Sequence, residues 1–197
     1  MSIIELKPVR ERILDAAAEQ YYAEGIRAVS ADKLIAAAHV SKVTFYRYFP
    51  TKDDLVAAYL ALRAEDERDA IIAKREELAD DAEAVLLWYA DLAGQAATSP
   101  GFRGCPFINA AAELPEETHP GRAIIREHRA WLIGQAAELL TSLDVVEPQA
   151  KAEQLMMLRD GAMVSGYLSH APEQVSSALI GAARAVIGPC RDRTLNA

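Results

Sequence analysis

The sequence predicts an all-α protein of about nine helices, and three observations carry that expectation. Of the 197 residues 38 are Ala, and Leu, Glu and Arg supply much of the remainder, all strong helix formers. Aromatic residues make up only 7%. No stretch shows the Val/Ile/Thr alternation that a half-buried strand needs. The length suits one or two modest domains that bury a core unaided, and two cysteines, Cys105 and Cys190, do not make a disulfide framework. The longest unbroken apolar run, Leu55 to Leu62, is eight residues, far below the ~18 of a membrane span. No basic segment followed by an apolar one opens the chain as a secretory signal would. The expectation is a soluble, cytoplasmic protein with no membrane partner.

Each helix is marked by its ends or its apolar face. Over residues 9–24, Ile13, Ala17 and Tyr21 recur at i, i+4, i+8 beside Leu14 and Ala18, and Gly25 stops the run. Ser30 is placed to cap a short helix over 31–38, with Leu34 and Ala37/Ala38 turned inward. His39-Val40-Ser41 breaks the chain, a second short helix follows over 42–49, and Pro50 stops it. Thr51 caps the next helix, and Asp53 and Asp54 suit its first turn. That helix runs from 52 into the seventies. Further on, 81–98 is a helix carrying Val85, Leu86, Trp88, Tyr89 and Leu92, ended by Ser99-Pro100-Gly101. Residues 102–120 read as a short helix with loops, and helices follow over 121–143, over 149–170 behind Pro148, and over 173–187 behind Pro172, the last closed by Gly188-Pro189.

Charge is divided unevenly along this series. The whole chain carries −8, which taken alone argues against a nucleic-acid partner. Residues 1–55 sum to zero, so the excess acid lies in 56–197. Within 26–52 the only acid is Asp32, against Arg27, Lys33, Lys42, Arg47 and Lys52, a local +4. A basic patch on an acidic protein is either a solvated helix face or the footprint of a DNA-reading surface. The pattern beneath it decides. Two short helices joined by a three-residue turn, behind a supporting helix, form a helix-turn-helix arrangement. In the second, Phe45 and Phe49 are spaced to plug inward against Leu34 and Val40, leaving Lys42, Thr44, Tyr46 and Arg47 outward.

The run Ser41-Lys42-Val43-Thr44-Phe45-Tyr46-Arg47-Tyr48-Phe49-Pro50-Thr51-Lys52-Asp53-Asp54-Leu55 resembles the recognition helix and following helix start of TetR-family transcriptional regulators. Residues 10–30, through Ile13-Leu14-Asp15-Ala16-Ala17 and Gly25-Ile26-Arg27-Ala28-Val29-Ser30, are similar to that family's first helix and its approach to the second. The resemblance implies a helix-turn-helix DNA-binding domain over 1–50 and a larger helical ligand-binding and dimerisation domain over 51–197. It implies that Ser30 takes a phosphate at a helix N-terminus, and that Lys42 reaches a base edge or phosphate. Thr44 and Tyr46 match positions that touch the backbone or a thymine methyl, and Arg47 stands at a variable position suited to guanine O6/N7. Lys52 matches a phosphate-contacting lysine. Tyr48 is either a contact or packing. The family usually has Gly where this chain has His39, because the turn often needs positive φ.

A protein that reads a duplex with one short helix per chain usually does so as a dimer. Ala162 and Gly166 on one C-terminal helix, and Ser177, Gly181 and Ala185 on the last, form rows of small residues. Such rows serve either packing within one chain or close approach between two chains. The resemblance, which implies a four-helix interface from the last two long helices, favours a homodimer. It also implies a small-molecule inducer, partly apolar, held among the middle helices. Trp88, Phe107, Trp131 and Met156 are candidate walls, and Asn109, His128 and Arg159 candidate anchors. Gly104-Cys105-Pro106-Phe107-Ile108-Asn109-Ala110-Ala111-Ala112-Glu113, with His119-Pro120 and Glu127-His128-Arg129, is similar to one subset of these regulators. Cys105 reads as a buried structural thiol rather than a redox sensor.

No C-x-x-C, H-E-x-x-H, His-x-x-x-His pair, phosphate-binding glycine loop or G-x-S-x-G elbow occurs in the sequence. No enzyme activity, metal or cofactor is therefore expected. The leading expectation is a homodimeric repressor released from a pseudo-palindromic operator, a double-stranded DNA partner, by an inducer. The alternatives are a DNA-binding protein with no inducer, whose helical body docks a protein partner, and a helical ligand carrier with a vestigial DNA head.

Overall fold

The computed structural model describes residues 7–168 and 173–188. Cys190, Pro172, Pro189 and the segment 190–197 lie outside the described residues. Within them the chain is helical without strands, in the order α1 (Val9–Glu24), α2 (Ala31–Ala37), α3 (Lys42–Tyr48), α4 (Lys52–Glu77), α5 (Ala82–Thr98), α6 (Pro106–Glu113), α7 (Pro120–Ser142), α8 (Pro148–Leu168) and α9 (Glu173–Ile187).

The caps explain most of these boundaries. Ser30 Oγ accepts the Lys33 N–H at 3.3 Å and Ser41 Oγ that of Thr44 at 3.1 Å, each satisfying a donor that the first helical turn leaves unpaired. Before α4, Thr51 Oγ1 accepts the Asp54 N–H while Asp54 Oδ2 accepts the Thr51 N–H, both at 3.0 Å, a reciprocal capping box. Asp81 Oδ1 caps α5 in one direction only, accepting the Ala84 N–H at 3.1 Å. Ala37, expected inward, is exposed; Leu34 and Ala38 carry the buried face of α2. Leu92 of α5 is exposed as well.

The described chain forms two compact units, one of residues up to Glu67 with Pro106–His128, the other of Arg68–Cys105 with the residues from Arg129 onward. This differs from the division after residue 50 expected from sequence, and packing supplies the reason. Leu55, Val56, Tyr59 and Leu60 of α4 are all buried, and the Tyr59 ring meets Tyr21 of α1 edge-on at 5.6 Å. Glu113 at the end of α6 bonds to the loop after α1. The first part of α4 and all of α6 are therefore structural members of the N-terminal unit.

The second unit has a core of small and aliphatic side chains, including Val85, Leu86, Leu139, Leu140, Ala152 and Ile187. A smaller cluster joins Ile71, Leu132 and Met156, with Trp88, Tyr89 and Trp131 against it. Helix approaches here are close. A Cβ added at Gly94 of α5 would collide with Ser176 of α9, and one at Gly166 of α8 with Ala97 of α5. Arg75 ties the end of α4 to α7: Nη1 donates to Gln135 Oε1 at 2.7 Å and Nη2 to Glu138 Oε1 at 3.0 Å, while Nε holds Asp80 in the turn at 2.8 Å. Those hydrogen bonds keep the Glu138 carboxyl below its usual range.

Candidate nucleic-acid interface and ligand cavity

α3 is seven residues long, too short to be stable alone, so its place is set by packing. Phe45 is 1% exposed and Phe49 and Leu34 are likewise buried, which is the plug expected from their spacing. The turn before α3 is a Schellman closure of α2. The His39 N–H donates to Ala36 O at 3.2 Å and the Val40 N–H to Ile35 O at 3.3 Å, and His39 itself sits at φ 53°. The positive φ that usually selects Gly is thus present, occupied here by His. Arg12 Nη1 of α1 donates to the His39 carbonyl at 3.2 Å, fixing the turn against the supporting helix.

Burying Phe45 leaves the opposite face of α3 in solvent. Lys42, Tyr46, Arg47 and Tyr48 are exposed. Lys42 Nζ lies 3.6 Å from Asp32 of α2, both side chains largely in water, where such a pair is weak and readily exchanged. The Arg47 guanidinium lies over the Tyr48 ring at 5.6 Å, so Tyr48 backs Arg47 as well as standing at the surface. Thr44 is half-buried and its hydroxyl accepts from Ser41 Oγ at 2.9 Å. Ser30 is exposed but already serves as the cap of α2. Lys52 is turned toward protein: Nζ donates to Val29 O at 2.7 Å. Burial lowers the Lys52 pKa, opposed by the nearby Glu113 and Asp53 carboxylates. One of its three donors is engaged in that bond.

One surface residue was not singled out from sequence. Val43 is 81% exposed on α3, an apolar, β-branched side chain between Lys42 and Thr44. Its signal was an apolar residue off the Phe45/Phe49 face of a helix otherwise outwardly polar. Apolar contact of this kind suits the thymine methyl in a major groove.

The candidate pocket residues divide between the two units. In the N-terminal unit Phe107 and His128 are buried and their rings lie 4.5 Å apart. His128 Nε2 donates to Glu67 Oε2 at 2.6 Å, and Asn109 is half-buried on α6. In the second unit a cavity of about 640 Å³, its open mouth included, is lined by Leu86 and Tyr89 of α5, Leu139 of α7, and Met156 and Arg159 of α8, among others. Met156 and Arg159 are therefore brought to one cavity; Trp88 and Trp131 are half-buried beside it under Lys74 and Arg68, each cation 5.4 Å from its ring. Among the described residues Arg159 is the one charged lining residue, and its Nη1 donates to the buried Cys105 Sγ at 3.1 Å and to Asp160 Oδ1 at 3.3 Å. Apart from Tyr89 and Gln135, the lining that sequence reasoning missed is aliphatic, and nothing distinguishes a cavity wall from a core in such residues.

The small-residue rows also separate. Ala162 is buried and Gly166 faces Ala97 within the chain, whereas Ser177, Gly181 and Ala185 of α9 are exposed. Beside them α8 exposes Met157, Gly161, Val164 and Leu168 at i, i+4, i+7, i+11, one apolar row.

No helix among the described residues is long and apolar enough to cross a membrane. Among the described residues no group of three or more His, Cys, Asp or Glu is placed to hold a metal ion. Residues 13–59 match the model of the family described as bacterial regulatory proteins, TetR family. The whole fold is similar to that of a TetR-family transcriptional regulator from Streptomyces coelicolor, with 38% identity, 91% of this chain and 94% of that one covered, and a TM-score of 0.84. A TetR-type transcriptional regulator from Streptomyces avermitilis is 26% identical, with 90% and 98% of the chains covered and a TM-score of 0.74. The reduced form of NemR from E. coli, 18% identical over 93% of this chain and 99% of that one, shares the fold with a TM-score of 0.79. No curated protein matches the chain.

Proposed function

Because the chain belongs to the TetR family of transcriptional regulators, we propose that it acts as a homodimeric repressor that leaves a pseudo-palindromic operator when a small molecule enters its helical body. The observation that carries this reading is the two-sided α3: Phe45 locked in the core, with Lys42, Val43, Tyr46 and Arg47 in solvent. On this reading Lys42, Thr44, Tyr46, Arg47 and Tyr48 meet the duplex, Arg47 reads a base edge, and Ser30 and Lys52 lie at the phosphate backbone. Lys52 does so with the donors not given to Val29.

Dimerisation is supported by the exposed rows Met157/Gly161/Val164/Leu168 and Ser177/Gly181/Ala185, an apolar surface with small residues that admit close helix approach. Ala162 and Gly166 contribute by seating α8 against α5 rather than by facing a partner. The cavity supports an inducer, with Met156 and Arg159 as its contacts. Such a ligand shifts operator binding only if it binds the two states of the dimer with different affinity.

The test begins with a duplex selected by the protein from a random-sequence library. Anisotropy titrations of the parent, Lys42→Ala and Arg47→Ala proteins then follow between about 50 and 200 mM salt. Arg47→Ala is expected to cost about 1–3 kcal/mol and relax one base position, and a lost phosphate contact to lower the salt slope by about one. If both variants match the parent at every salt concentration, α3 is not the reading surface. The exposed apolar row of α8 also favours a second reading, in which the body docks a protein partner and no inducer exists. A chain that is monomeric in solution and shows no thermal shift with any small molecule of a diverse library supports that alternative.

A further inference from the structure

The loop between α1 and α2 is held by a single carboxylate from a distant helix. The backbone N–H groups of Ile26 and Arg27, consecutive in that loop, donate to Glu113 Oε1 at 3.0 Å and Glu113 Oε2 at 2.8 Å. Glu113 is the last residue of α6. We propose that Glu113 is a positioning residue for DNA binding, a latch through which α6 sets where the α2–α3 pair stands; this rests on the reading of the chain as a DNA-binding regulator.

Burial alone does not call for such a latch. The Arg27 end of the contact is exposed, where water would serve the amide equally well. What the carboxylate adds is geometry: two acceptor oxygens in a fixed fork, charged, matched to two successive amides. The same loop is tied from two further sides. Lys52 at the start of α4 holds the Val29 carbonyl, and Lys33 of α2 pairs with Glu24 at the end of α1. Ser30 then opens α2 directly after these tethers. α2 is only seven residues long, so the loop that launches it governs its direction, and the Arg12-held turn passes that direction to α3. Glu113 is the tether supplied by α6. The contact therefore makes the seat of α6 a determinant of the seat of α3.

The experiment uses the full-length protein and the duplex it selects from a random library. Glu113→Gln keeps the shape but places an amide NH₂ against one of the two N–H donors. The expected result is an operator Kd raised about tenfold, with the slope of log Kd against log salt unchanged because no phosphate contact is lost. Hydrogen exchange at the Ile26 and Arg27 amides is expected to quicken. A Kd within about twofold of the parent's despite faster exchange overturns the proposal. So does a raised Kd with a shallower salt slope, which assigns the effect to a lost phosphate contact instead. The parent protein supplies a second arm that needs no variant: the two amides are expected to keep or gain protection when operator is added, and loss of protection overturns the latch. A parent that binds no duplex in a salt-dependent way overturns the regulator reading itself, and the latch with it.

Discussion

Replacing His39 by Gly is expected to stabilise the helix-turn-helix without touching its DNA face. His39 holds φ 53° at the residue that closes α2. An L-residue there costs about 1–2 kcal/mol through the clash of Cβ with the following carbonyl. Gly removes that cost but enlarges the freedom of the unfolded chain, returning about 0.4–1 kcal/mol. The bonds of the turn are backbone to backbone, or accepted by the His39 carbonyl from Arg12, so all survive the change, and the side chain is exposed. The net gain is then about 0.5–1 kcal/mol, which in a chain of this size raises Tm by about 1–4 °C. His39→Ala keeps the Cβ and is expected to be close to neutral. His39→Val, β-branched in the same region, is expected to fall below the parent. Thermal unfolding of the four proteins, with hydrogen exchange at Val40 reporting the turn directly, gives the order Gly above His and Ala, and both above Val. A Gly variant no more stable than the parent, together with a tolerated Val, would refute the strain argument.

Three further outcomes follow from other parts of the molecule. If Val43 meets a thymine methyl, replacing thymine by deoxyuridine at one selected operator position weakens the parent severalfold, on the order of 1 kcal/mol, and leaves Val43→Ala indifferent; equal losses in both proteins at every thymine exclude the contact. Val164→Asp places a charge on the exposed row of α8, so light scattering is expected to show a folded monomer, and a persistent dimer rules out that face as the interface. Glu138 is held below its usual range by the Arg75 hydrogen bonds. The pair thus adds stability above the pKa of the unfolded carboxyl and loses it as pH falls through the folded one. Because the carboxylate is largely solvated its share is below about 1 kcal/mol, and Tm against pH should show Glu138→Gln below the parent at neutral pH and converging with it in acid.

Punctuation was legible from sequence because it is local. Ser30 and Thr51 cap the helices they precede, and Pro50 separates α3 from α4; Ser41, read only as part of the break, turns out to cap α3. The Phe45/Phe49 spacing told which side of α3 is buried. What remained illegible depends on contacts between residues far apart in the chain. Nothing near Glu113 in sequence announces the Ile26 and Arg27 amides 87 and 86 positions away, nor is there a local sign that Lys52 turns to Val29. The cavity escaped for a different reason. Leu86, Leu139 and Leu179 line it with side chains chemically identical to those of the core, so no residue type marks it. Of those proposed, Phe107 and His128 packed against each other instead.

The division of α3 into one buried anchor and an exposed face has a consequence for descent. Stability of this helix is vested in Phe45 and its capping serine, while on the proposed reading sequence preference is vested in Lys42, Val43 and Arg47, whose side chains are exposed. Surface substitutions of that kind usually change stability by within about 0.5 kcal/mol. A lineage can therefore exchange the reading residues one at a time, visiting new operators without passing through an unfolded intermediate. The same separation offers an engineer a helix whose vocabulary is rewritable while its grammar, the plug and the cap, stays in place.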